Sequence, residues 1–82
     1  MQLYDFIKCN SDQRKAMVWE HGQFVADRIS GDYTVCLYHM GKFFAEIWYH
    51  VADNEIQTVR GFKSLAQLEP YLNLVDISEF KN

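Results

Sequence analysis

A chain of 82 residues has room for one hydrophobic core, so a single domain spanning 1–82 is expected. Its 8 basic and 11 acidic side chains are interspersed, giving a net charge of −3 that argues against nucleic-acid binding, for which a basic face is the electrostatic footprint. Hydrophobic residues at 49% and aromatics at 16% exclude a disordered chain. No apolar run approaches the ~20 residues of a membrane span.

At the N-terminus, Leu3, Phe6 and Ile7 share one face of a short helix, with Tyr4 beside them and Cys9 at its close. Met1–Asn10 contains Asp5 and no long apolar stretch, so it does not read as a signal peptide. Asn10-Ser11 breaks the helix, and Ser11 is a suitable cap for a second one. Asp12 in the first turn favours the helix dipole. Val18, Gly22, Val25 and Ile29 then recur at helical spacing, predicting a second helix from Asp12 to Ile29. In that helix Gly22 would allow a close approach to the sheet, and Trp19, Met17 and Phe24 would pack against the other helices. Ser30-Gly31 stops it, with Gly31 in the left-handed position past its end.

Three strand-like runs follow: Tyr33–Met40, Phe43–Val51 and Ile56–Phe62. Gly41-Lys42 joins the first two as a two-residue turn, and Asp53-Asn54-Glu55 reverses the chain again. That first turn pairs Met40 with Phe43, Tyr38 with Ala45, Cys36 with Ile47 and Thr34 with Tyr49. Side chains alternate along strands, so Cys36, Tyr38, Met40, Phe43, Ala45, Ile47, Tyr49 and Val51 share a first face. This nearly apolar face is expected to lie beneath the helices. Tyr33, Val35, Leu37, His39, Phe44, Glu46, Trp48 and His50 share the second. A two-residue turn or a four-residue loop before the third strand would add Ile56, Thr58, Arg60 and Phe62 to the first face. Gln57, Val59 and Lys63 would then join the second. In the other register Arg60 approaches Glu46, Trp48 and His50.

The second face mixes charge with grease, a combination that usually marks a contact. Val35, Leu37, Phe44, Glu46, Trp48 and His50 are its candidate interface residues. Burying its apolar members gains on the order of 10 kcal/mol gross, against an association cost of about 4–15 kcal/mol. A second copy of the chain is one cover for this face; a helix or the C-terminal tail is the other. Beyond the sheet, Ser64 and Gln67 read as a capping box opening a third helix, with Leu65, Leu68 and Leu72 buried. Pro70 interrupts it, forcing a short turn to Glu69 and a restart. The tail from Leu74 to Ser78 is expected to be extended or irregular along a sheet edge, and 79–82 to fray.

No catalytic, metal or cofactor motif stands out. His39 and His50 share a face but lie about 20 Å apart along the hairpin, far beyond joint ligation. His21 has only Glu20 nearby. Glu46, Trp48 and His50 alternate on one strand and offer, at most, an acid or base beside an aromatic wall. A single-stranded RNA platform would need more cations than Lys42 and Lys63. Cys9 and Cys36 are too far apart in sequence to form a paired motif and read as free thiols.

Trp19-Glu-His-Gly22, Ala26-Asp-Arg-Ile29 with Gly31-Asp-Tyr33, and Phe62-Lys-Ser64 with Gln67-Leu-Glu-Pro-Tyr-Leu72 resemble short bacterial proteins of unknown function. The likeness covers nearly the whole chain. It implies a cytoplasmic domain, with no active-site residues to carry over. The expected architecture is therefore α+β: two N-terminal helices, a three-stranded antiparallel meander and a C-terminal helix. The expected role is a small cytoplasmic interaction module without cofactor, self-associating or docking another protein through the second face. A small-ligand site or modest enzyme at Glu46 and His50 is the alternative, and nucleic-acid binding stands behind both.

Overall fold

A computed structural model describes residues 2–72 and Leu74, so the expectations for 75–82 lie outside the described residues. Helix α1 spans Leu3–Ile7 and α2 spans Ser11–His21. Four strands follow: β1 Gln23–Ser30, β2 Tyr33–His39, β3 Phe44–His50 and β4 Glu55–Phe62. They pair antiparallel in chain order, and a 3₁₀ helix covers Leu65–Tyr71. The α+β class holds, but the sheet has four strands rather than three, and the C-terminal helix is a short 3₁₀ segment.

The N-terminal half contains the main correction. Asn10, not Ser11, caps α2: its side chain accepts the Gln13 N–H at 2.8 Å, while the Gln13 side chain takes the Asn10 N–H at 3.0 Å. The helix ends at His21 rather than Ile29, and the Gly22 N–H closes it on the Val18 carbonyl at 2.7 Å. Gln23–Ser30 is a strand because Phe24, Val25 and Ile29 suit a pleated surface and a two-residue loop joins it to β2. Gly31 sits at φ +58°, a value that a helix stop and a hairpin turn both ask of glycine.

The β2–β3 register is as the Gly41-Lys42 turn dictates, with Tyr38 opposite Ala45, Cys36 opposite Ile47 and Thr34 opposite Tyr49. Gly41, at φ +95°, supplies the positive dihedral. On β4 the four-residue loop places His50 opposite Glu55 and Tyr49 opposite Ile56. A bulge at Gln57 then shifts the strand by one residue. Beyond it Val59 faces Ile47 on the first face, while Thr58, Arg60 and Phe62 stand with Trp48, Glu46 and Phe44 on the second. The unbulged assignment is thus reversed for the last five residues of the strand.

Each face carries its own core. On the first, Phe6 and Val18 from the helices pack with Met40, Phe43, Ala45, Ile47 and Val59. The Phe6 and Phe43 ring centroids lie 5.2 Å apart. A Cβ on Gly61 would fall 2.8 Å from Leu3 Cδ1 and 2.9 Å from Phe6 Cδ2, so bare backbone is what lets α1 lie on β4. Arg14 fastens the same corner by donating to the carbonyls of Phe6 (3.1 Å), Ile7 (2.6 Å) and Val59 (2.9 Å). On the second face Ala26, Leu37, Phe44 and Phe62 pack beneath Leu68 and Tyr71 of the 3₁₀ segment. Full burial of each large apolar side chain contributes roughly 1.5–3 kcal/mol, so both faces add to stability.

Candidate functional site

The six residues singled out on the second face separate into two groups. Val35, Leu37, Phe44 and Glu46 are buried within the chain, with Leu37 and Phe44 packed against the 3₁₀ segment. Trp48 and His50 are half-buried at the end of β3. The apolar centre of this face therefore serves the chain's own fold. Periodicity could not settle this, because a helix and a partner leave the same pattern on the strands.

Glu46 is the hub of that face, and its residue is only 3% exposed. The Tyr71 hydroxyl donates to Glu46 Oε2 at 2.6 Å, and the Trp48 indole N–H donates to Oε1 at 3.2 Å. Two guanidiniums approach from either side: Arg28 Nη2 lies 3.6 Å from Oε2, and Arg60 Nε lies 3.6 Å from Oε1. Arg28 comes from β1 and Arg60 from β4, so the sheet's two outer strands meet over a carboxylate of β3. Arg28 also stands over the Tyr71 ring at 5.1 Å and the Trp48 ring at 5.5 Å, within cation–π range. Burial, and then the bond to Glu46, push the Tyr71 phenol well above its ordinary range; Arg28 pulls the other way. Beside the hub a cleft of about 490 Å³ is lined by Arg28, Glu46, Arg60, Gln67, Glu69 and Pro70, with Ala66 between them. Glu46 was a candidate from the sequence, and Arg60 was a neighbour in the register that the bulge selects. Arg28 and Tyr71 were missed, because residues read as lying in helices cannot be placed on a sheet face.

His50 does not join the hub. Its Nδ1 lies 3.2 Å from Asp53 Oδ1, and its ring is 5.5 Å from that of Tyr33. The Glu55 backbone N–H, with His50 behind it, holds the Asp53 carboxyl below the usual range. Four residues along a strand separate Glu46 from His50, about 13 Å, so the two do not act on one reacting atom. His39 pairs with Phe44 at the opposite end of the hairpin. Among the described residues no group of three or more His, Cys, Asp or Glu could hold a metal ion.

The first face is covered only in part. α1 and α2 pack against β4 and the core of β3, and that cluster reaches Tyr38 of β2, while the β1 side stays exposed. Phe24, Asp27 and Ile29 of β1 stand there opposite Tyr38, Cys36 and Thr34. Phe24 is 58% exposed and Ile29 is 71% exposed, although the sequence placed Phe24 against the other helices and Ile29 in the apolar stripe of the second helix. Trp19 on α2 is also exposed, at 62%. Phe24 and Tyr38 make an edge-to-face contact at 5.8 Å, which gives the patch a rigid aromatic corner. Burial pushes the Cys36 thiol upward, and the Asp27 charge adds to it, so this thiol stays protonated and unreactive at neutral pH. Cys9 and Cys36 are both free.

Fold and site together describe a small α+β domain built on an antiparallel meander, with one face closed over an ionic hub and the other half open. No family model, curated protein or solved structure matches the chain. Among the described residues no helix is long and apolar enough to cross a membrane.

Proposed function

We propose that this chain is a small cytoplasmic interaction module that pairs with a second copy of itself through the open half of its first sheet face. The observation that carries the reading is the exposure of Phe24 and Ile29 on one face of an edge strand, backed by Tyr38 and Cys36. Two such halves stacked about a two-fold axis make a self-complementary contact, with sheets about 10 Å apart. The pair would bury two copies each of Phe24 and Ile29, worth roughly 6–12 kcal/mol at full burial. That is comparable with the about 4–15 kcal/mol cost of association, so pairing should depend on concentration. The contact differs from the second-face interface read from sequence, of which Val35, Leu37 and Phe44 are buried inside the chain. Two free thiols suit a reducing compartment.

Sedimentation over a hundredfold concentration range tests the proposal. The native chain should move from monomer to dimer, and the Phe24→Glu/Ile29→Glu double variant should remain monomeric while still unfolding in one cooperative transition. A native chain that stays monomeric throughout, or a double variant that dimerises equally well, overturns it.

A further inference from the structure

We propose that the cleft between the 3₁₀ segment and the sheet is a binding site for a small organic carboxylate, held by the guanidiniums of Arg28 and Arg60. The site is separate from the open sheet face and does not depend on it. Glu46 is already engaged by two short donors, the Tyr71 hydroxyl at 2.6 Å and the Trp48 indole N–H at 3.2 Å. Both arginines stand farther off, at 3.6 Å, beyond hydrogen-bond distance. They are held to Glu46 by charge; Arg28 also engages the Tyr71 hydroxyl, and among the described residues the Arg60 guanidinium makes no hydrogen bond. Arg28 Nε is buried with no hydrogen-bond partner among the described residues, a condition that costs free energy until an acceptor arrives. The Arg60 side chain is 44% exposed and lines the cleft, so an entering anion can reach it.

Two cations face one buried carboxylate at the hub, and the second acid of the cleft, Glu69, lies in the lining and not at the hub. A guanidinium fork matches the two oxygens of a carboxylate or phosphate. Glu69, also in the lining, makes no ion pair with either arginine. Its carboxylate penalises a second negative charge on the ligand, which favours a monocarboxylate over a phosphate dianion. Ala66 and Pro70 supply an apolar wall for the organic part, and about 490 Å³ is within the range of small-molecule sites.

The test is a titration of the ¹⁵N-labelled full chain with benzoate and, separately, with inorganic phosphate, following backbone amides and arginine Nε–H signals. Saturable benzoate shifts are expected at Arg28, Arg60 and residues 66–69, with phosphate binding more weakly. Arg60→Gln should weaken benzoate by at least about tenfold while leaving the melting temperature close to native. Because Arg28 is more buried, the decisive variant is the one at Arg60. Absence of saturation at tens of millimolar benzoate, or equal binding by Arg60→Gln, overturns the site. Tighter binding of phosphate overturns the carboxylate assignment.

Discussion

Tyr71→Phe removes one hydroxyl and leaves the buried ring in place, so it isolates the bond that ties the 3₁₀ segment to the sheet. That bond is 2.6 Å long, buried and made to a carboxylate. Hydrogen bonds to charged groups contribute about 1.5–3 kcal/mol, and no cavity arises from the exchange to add to the loss. Glu46 keeps the Trp48 donor and both arginines, so the oxygen left behind is not stranded among apolar atoms. For a domain of this size the loss corresponds to roughly 6–24 °C in Tm. Urea unfolding followed by tryptophan fluorescence measures it, with an unchanged m value confirming the same native state. A loss below about 0.5 kcal/mol would refute the reasoning, because the bond would then be no better than its hydrated counterpart. The same pair of chains has an alkaline signature. Because folding raises the Tyr71 phenol, its contribution is complete below the unfolded value near about pH 10 and is lost as pH climbs toward the folded value. The stability difference between native and variant should therefore shrink above pH ~10. Tyr38 and Tyr49, also raised by burial, are present in both chains and cancel.

Gly61→Ala should destabilise by about 1–3 kcal/mol in denaturant titration, because the new methyl meets Leu3 and Phe6 at under 3 Å. An unchanged midpoint would mean that α1 lifts off β4 without cost. Arg14→Lys should lose about 1.5–3 kcal/mol and speed amide exchange in α1, since one ammonium cannot serve the three carbonyls that the guanidinium spans. Asn10→Ala should cost about 0.5–2 kcal/mol through loss of the α2 cap, read as a shift in the urea midpoint.

The parts of the fold legible in the sequence were those fixed by short-range rules. Gly41 determined the β2–β3 register, and with it the membership of both faces on those strands. Where two structures share one signal, the sequence was silent. Gly31 serves a helix end or a hairpin equally, and Val18, Gly22, Val25 and Ile29 keep helical spacing although only the first lies in the helix. The bulge at Gln57 carries no distinctive residue, yet it decides that Arg60 rather than Val59 faces Glu46. The candidate site was half visible for that reason. Glu46 was found on its own strand, whereas Arg28 and Tyr71 come from segments whose position depends on tertiary pairing.

Every strand in this sheet pairs with its neighbours in the chain, so no contact within it waits for a distant segment. During synthesis the hairpins can zip as they emerge, while Leu37, Phe44 and Phe62 remain bare until Leu68 and Tyr71 follow. A nascent chain halted before Leu65 would carry a finished sheet with one oily side unprotected, a state in which chaperones and sticking to neighbours compete for the same surface.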